Sequence, residues 1–126
     1  MQQWPNPTET DELNSLFGFS ATGEEQDWEI EFADPNRINE FYSAYINAKL
    51  SDSKKMAVMS LVLASFDELI ALNRDNIDLW GEISSKLIQD ITIHKYTIEY
   101  WCCENETEPD HIFDLTPRIR EIANGL

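Results

Sequence analysis

The stretch ITIHKYTIEYW, residues 91–101, decides the fold class of this 126-residue chain. Its isoleucine, threonine and tyrosine content and its partial alternation favour a β-strand. An apolar stripe at helical spacing nevertheless runs into it from the preceding segment. The stripe consists of Trp80, Ile83, Leu87, Ile91, His94, Ile98 and Trp101. Because this register continues unbroken from Trp80, we predict a helix over residues 76–101.

The alternative is a mixed fold. Residues 27–33, DWEIEFA, alternate the apolar Trp28, Ile30 and Phe32 with polar or small residues, which is a strand period. If residues 91–101 were a strand, they would pair with residues 27–33, and the fold would be α+β with a small sheet.

Helix start signals lie on either side of these segments. Asp34 followed by Pro35 is typical of an N-cap and the first helical position. Ser51 or Asp52, Asp75 or Asn76, and Thr116 before Pro117 are the other N-cap candidates. We therefore predict a mainly α fold, a compact bundle of about four to five helices. Their approximate ranges are 35–50, 52–72, 76–101 and 117–124, with a short helix over residues 9–17.

The length is close to that of one average domain, so we predict a single domain over residues 1–126. Hydrophobic residues make up 42% of the chain, which is too many for general disorder. Residues 1–26 are polar and contain two prolines, Pro5 and Pro7. We expect them to form a partly mobile acidic N-terminal arm, docked through Trp4 and Phe17.

Charge is the unusual property of this sequence. The 24 acidic residues exceed the 9 lysines and arginines, for a formal net charge of −15. Residues 1–36 and 99–114 contain acidic residues but no lysine or arginine. Such a field repels nucleic acid and anionic membranes and attracts basic proteins. The alternative is that the acidity only keeps the protein in solution.

Residues 94–111 hold both histidines and both cysteines but do not resemble a site for chemistry. Cys102 and Cys103 are adjacent, so the two thiolates are poorly placed to share one metal ion. The acidic surroundings should raise the thiol pKa values, which argues against a catalytic thiolate. With only four glycines, the chain also offers no phosphate-binding loop. We predict no catalytic residues, no metal and no cofactor, and hence no enzyme.

The apolar run Met56–Phe66 is too short to span a bilayer, and the N-terminus lacks the basic and apolar regions of a signal peptide. With two adjacent cysteines and no disulfide framework, the sequence indicates a cytoplasmic protein.

The function that this composition favours is protein binding. Aromatic residues beside a charged rim are typical of an interface, and both acidic runs have this composition. The candidate partner-binding residues are Glu24, Glu25, Asp27, Glu29, Glu31, Tyr100, Glu104, Glu106, Glu108 and Asp110.

The predicted partner is a basic protein, for instance a toxin domain, with no direct binding to nucleic acid or membrane. The most concrete version is a bacterial immunity or antitoxin-type inhibitor, a comparison that rests only on size, acidity and compartment. The alternative is a nucleic-acid mimic or regulatory adaptor. A helical enzyme whose carboxylates hold a divalent cation ranks lower, because the one E-x-x-H match, Glu108 to His111, falls in a stretch that reads as a loop.

Overall fold

The computed structural model describes residues 7–22, 28–103, 106–108 and 112–125. The chain divides into two compact units, Met1–Ser65 and Phe66–Leu126. In the described ranges the α-helices are α1 (Pro7–Phe17), α2 (Trp28–Glu31), α3 (Ile38–Asn47), α4 (Asp52–Ala71), α5 (Ile77–Gln89), α6 (Ile91–Cys102) and α7 (Thr116–Asn124). A 3-10 turn, Pro35–Arg37, precedes α3.

The prediction of a mainly helical protein is confirmed, and the helices are more numerous than the four to five predicted. Within the described ranges there is no β-strand, so the alternative sheet between residues 27–33 and 91–101 is wrong. The bundle arrangement and the single domain both stay predictions.

The segment predicted as a strand forms one turn of helix instead. The N–H of Phe32 donates to the carbonyl oxygen of Trp28 at 3.1 Å, which is the i→i+4 bond of an α-helix. Trp28 and Phe32 therefore lie on the same side, with ring centroids 6.1 Å apart. Three apolar positions are too few to distinguish the period of a strand from that of a helix.

The long helix predicted over residues 76–101 is two helices, α5 and α6. Asp90 separates them with a φ of −102° and a ψ of 30°, outside helical values. The N–H of Ile93 then donates to the carbonyl oxygen of Asp90, which starts α6. Aspartate and a β-branched run are both unfavourable inside a helix. The apolar stripe hides the break because its spacing stays helical across Asp90.

Three predicted N-caps occur where expected. The Asp34 side chain accepts from the N–H of Asn36 at 2.9 Å, and Pro35 follows it. The hydroxyl of Ser51 accepts from the N–H of Lys54 at 3.2 Å, which resolves the choice at the start of α4. The Asn76 side chain likewise accepts from the N–H of Leu79 at the start of α5.

The predicted N-cap of the last helix is wrong. Leu115 occupies that position, and Thr116 is the first residue of α7 and is fully buried. The Thr116 hydroxyl donates to the carbonyl oxygen of Trp101 at 2.8 Å. Thr116 therefore anchors α7 to the end of α6, a tertiary role that a local start signal cannot reveal.

In the unit of residues 1–65 the core is aromatic. Phe41 is fully buried, and its ring meets that of Phe17 edge-on at 5.1 Å. Phe19 contacts Phe17, Trp28, Phe32 and Phe41. The described part of the expected N-terminal arm thus contributes Phe17 to this core. Its predicted mobility remains untested, and Trp4 lies outside the described residues.

Two carboxylates of α1 bind the first turn of α4. The hydroxyl of Ser53 donates to the buried carboxylate of Glu9 at 2.9 Å. Lys54 forms an ion pair with Glu12. A negative group beside a helix N-terminus is favoured by the helix dipole. Part of the N-terminal acidity therefore serves folding and is not available to a partner.

In the unit of residues 66–126 a half-buried carboxylate holds the start of α7. Asp67 of α4 accepts from the N–H of Leu115 at 2.8 Å. Burial raises the pKa of Asp67, and the nearby negative charge of Asp114 raises it by a smaller amount. Hydrogen bonds from the backbone of Leu115 and Asp114 lower it. Burial therefore destabilises the charged carboxylate by more than these hydrogen bonds stabilise it.

The raised pKa of Asp67 predicts a pH dependence of stability. A raised folded-state pKa contributes stability that is complete below the unfolded value and is lost as pH rises through the folded value. In Asp67→Asn a neutral side chain with an acceptor oxygen replaces the carboxylate. We expect the free energy of unfolding of this variant, relative to the wild type, to increase from pH 4 to pH 7. Urea unfolding across this range measures the difference.

The control is Asp67→Ala, which leaves the N–H of Leu115 without its acceptor. This variant should be less stable than Asp67→Asn by about 1–3 kcal/mol at every pH, the cost of an unsatisfied buried donor. If the free energy of unfolding of the wild type instead increased relative to that of Asp67→Asn as pH rose, ionisation of Asp67 would stabilise the fold. The raised pKa of Asp67 would then be wrong.

Candidate partner-binding surface

One face of α6 presents aromatic and acidic side chains to solvent. Tyr96 is 44% exposed, Tyr100 is 39% exposed, and Glu99 is exposed between them. Residues three and four apart are neighbours on a helix, so these three share one surface. The opposite face is buried and contains His94, Thr97, Ile98 and Trp101. Trp101, the last residue of the apolar stripe, is thus buried.

Tyr100 is held in place by other rings of the same unit. Its ring centroid lies 5.6 Å from that of Trp101 and 5.7 Å from that of Phe113. Trp101 and Phe113 contact each other at 4.3 Å. A tyrosine supported in this way loses little freedom on binding, which is the property of an interface anchor.

The carboxyl end of α6 is fixed by an arginine that lies eighteen positions beyond it in sequence. Arg120 of α7 donates to the carbonyl oxygens of Cys102, Cys103 and Glu106, each at 2.8 Å. A helix end leaves carbonyl groups without intrahelical donors, and its dipole favours a cation. Arg120 therefore supplies both the hydrogen-bond donors and the positive charge, and it links the backbone of Glu106 to the end of α6.

Residues 106–108 extend the surface beyond α6. The carboxylate of Glu106 accepts from the N–H of Glu108 at 3.2 Å, and Glu106 is half-buried. Glu108 is exposed. In this pair Glu106 shapes the turn, and Glu108 presents charge to solvent.

The structure separates the predicted partner-binding residues into several groups. Those outside the described residues are Glu24, Glu25, Asp27, Glu104 and Asp110. Glu29 is 6% exposed, too little to present its charge, whereas Glu31 of α2 is exposed. Tyr100, Glu106 and Glu108 lie in the unit of residues 66–126, where Arg120 links the backbone of Glu106 to the end of α6.

Two residues of this surface are absent from the predicted set. Tyr96 precedes Tyr100 by one helical turn, and Glu99 comes directly before Tyr100. A strand would place Glu99 and Tyr100 on opposite faces, and the uncertain period of residues 91–101 hid their common surface. A helical register counted outward from Tyr100 is the signal that finds them.

The groups that could support metal or thiol chemistry are dispersed or buried. Across the described ranges, no three His, Cys, Asp or Glu side chains are grouped so as to hold a metal ion. Cys102 and Cys103 are free thiols, and Cys102 is buried. Cys103 has a φ of 47°, and a left-handed residue at this position ends a helix. These cysteines belong to the end of α6.

Three arginines are bound by other groups of this chain. Arg37 pairs with Glu40, and Arg118 pairs with Asp75. Hydrogen bonds from the two guanidinium groups lower the pKa values of Glu40 and Asp75. Arg120 binds backbone carbonyls. The charges of Arg37 and Arg118 are therefore matched within the chain, whereas Arg120 keeps a positive charge at the carboxyl end of α6.

No helix in the described part of the chain is both long and apolar enough to cross a membrane. No protein-family description matches the sequence, no curated protein matches it, and no solved structure matches the fold.

Proposed function

We propose that this protein is an acidic binding module that covers a basic surface of a partner protein in the cytoplasm. The observation that carries the proposal is the exposed face of α6, which presents Tyr96, Glu99 and Tyr100 in the same unit as the exposed Glu108. Interfaces use aromatic anchors with a charged rim, and the anchors supply most of the binding energy. The most concrete form is an immunity or antitoxin-type inhibitor that masks a toxin domain.

Charge supports a basic partner over nucleic acid. The formal net charge is −15, and a field of that sign raises encounter rates with cations and repels phosphate. Lys95 is exposed beside Tyr96, so the acidity comes from Glu99 and the turn at residues 106–108. The negative rim therefore lies toward the carboxyl end of α6.

A matched pair of charge variants tests the surface. Glu99→Gln/Glu108→Gln removes two exposed carboxylates from it, and Glu82→Gln/Glu121→Gln removes two exposed carboxylates from α5 and α7. Tagged wild type and both variants are used for pull-down from the native lysate at low salt, followed by mass spectrometry. We expect one basic protein in stoichiometric amount on wild type and control. The site variant should retain about tenfold less, because charge pairs at an interface steer association.

The other results separate the remaining functions. Equal capture by all three proteins would place the interface elsewhere on the molecule. A spread of enzymes that act on nucleic acid would replace masking of one partner by the mimic or adaptor function. An empty eluate would contradict a binding role altogether.

A further inference from the structure

The face of α6 combines two aromatic rings with a carboxylate, and this combination recurs elsewhere in the molecule around an arginine. Tyr96 and Tyr100 are one helical turn apart, with Glu99 on the surface between them. Side chains at this spacing have β-carbons about 5–6 Å apart. A flat cation can contact both the rings and the carboxylate across such a distance.

Arg37 is the first example of the combination. Its guanidinium carbon lies 5.3 Å from the ring centroid of Phe19 and 5.1 Å from that of Phe41. The guanidinium also binds both oxygens of Glu40, at 2.9 and 2.6 Å. Glu40 directly precedes Phe41 on α3, as Glu99 directly precedes Tyr100 on α6. A carboxylate followed by an aromatic residue on a helix is thus one half of an arginine site in this protein.

Arg118 is the second example, in the same unit as α6. Its guanidinium carbon lies 5.6 Å from the ring centroid of Phe66 and 5.9 Å from that of Trp80. Both of its terminal nitrogens bind the carboxylate of Asp75. The two sites share no residue and lie in different units, so the arrangement follows from guanidinium chemistry and not from one local fold.

We propose that the partner's basic surface is anchored by an arginine that lies against Tyr96 and Tyr100 and pairs with Glu99. This inference rests on the proposed masking function and specifies the group that the surface recognises. A guanidinium is planar, stacks on aromatic faces and forms two parallel bonds to a carboxylate. A lysine ammonium is a strongly hydrated point charge and gains less from the rings. The surface therefore prefers arginine to lysine at equal charge.

The test uses fluorescein-labelled oligo-arginine and oligo-lysine peptides of equal length, titrated with the full chain at low salt and followed by anisotropy. We expect wild type to bind the arginine peptide about three- to fivefold more tightly, the usual range for an exposed cation–π contact. The variant Tyr96→Leu/Tyr100→Leu should bring this ratio close to one. Because Tyr100 packs on Trp101 and Phe113, Tyr96→Leu alone is the second variant, and Ile88→Ala is the exposed apolar control.

The outcomes separate this inference from the function on which it rests. Equal affinity for both peptides, or a ratio unchanged in both tyrosine variants, overturns the arginine anchor. If Glu99→Gln/Glu108→Gln weakened binding in that case, the masking function would stand without it. Binding of neither peptide overturns both. A preference that is lost in Tyr96→Leu and kept in Ile88→Ala supports the arginine anchor.

Discussion

Arg120→Ala should lower the free energy of unfolding by about 2–3 kcal/mol, since hydrogen bonds from a charged donor contribute about 1.5–3 kcal/mol each and the freed carbonyls regain some water. Three carbonyl oxygens lose their donor in this variant, those of Cys102, Cys103 and Glu106. The helix dipole of α6 also loses a nearby cation. Chemical unfolding monitored by circular dichroism measures the change.

Two comparisons isolate the geometry of this contact from its charge. Arg120→Lys keeps the charge but lacks the planar fork, so it should recover less than half of the lost stability. Lys95→Ala removes a positive charge from the exposed side of α6 and should change stability by no more than about 0.5 kcal/mol. If Arg120→Ala and Lys95→Ala had equal effects, net charge would explain the result. The hydrogen bonds of Arg120 to the end of α6 would then contribute no stability of their own.

Phe41→Ala should cost about 3–5 kcal/mol, the range for truncating a buried phenylalanine. Phe41 is fully buried, and its ring contacts Phe17, Phe19 and the guanidinium of Arg37. Ile46→Ala, on the exposed side of α3, is the control and should change stability by about 0.5 kcal/mol at most. A loss of similar size in the two variants would contradict an aromatic core in this unit.

The variants Phe41→Ala and Arg120→Ala also test the single-domain prediction. Phe41 and Arg120 lie in different compact units, and the boundary between the units falls within the continuous helix α4. If the chain is one domain, both variants should shift one cooperative calorimetric transition as a whole. Two transitions, each moved by only one of the variants, would show that the units unfold separately.

Local signals in the sequence were sufficient for several helix starts. Asp34 before Pro35, Ser51 and Asn76 act within three residues of their own position, so their effect can be read without tertiary information. The range predicted for α4, 52–72, agrees with the observed Asp52–Ala71 for the same reason. Asn73 ends this helix with a φ of 58°, a conformation that asparagine adopts more readily than most residues.

The errors occur where local and long-range demands differ. The break at Asp90 falls between Leu87 and Ile91, whose spacing stays helical, so periodicity does not record it. Thr116 resembles an N-cap, but its hydroxyl binds the carbonyl of Trp101. In both cases the sequence pattern is compatible with more than one local structure, and contacts with other segments select one.

The candidate surface was predictable only in part. Tyr100 was a candidate because it stands beside an acidic run, whereas inclusion of Tyr96 and Glu99 required the helical register of α6. The pairings of Arg118 with Asp75 and of Arg120 with the end of α6 join residues far apart in sequence. No local pattern shows which cations are bound within the chain, and hence which charges remain for a partner.

The most direct test of the central claim is the association rate constant of the captured basic partner as a function of salt. We expect the rate to fall steeply with ionic strength for wild type, as for other steered complexes. In Glu99→Gln/Glu108→Gln it should be about tenfold slower at low salt, while Glu82→Gln/Glu121→Gln stays within about twofold of wild type. Equal rates and equal salt dependence in the two variants would contradict binding through the α6 surface.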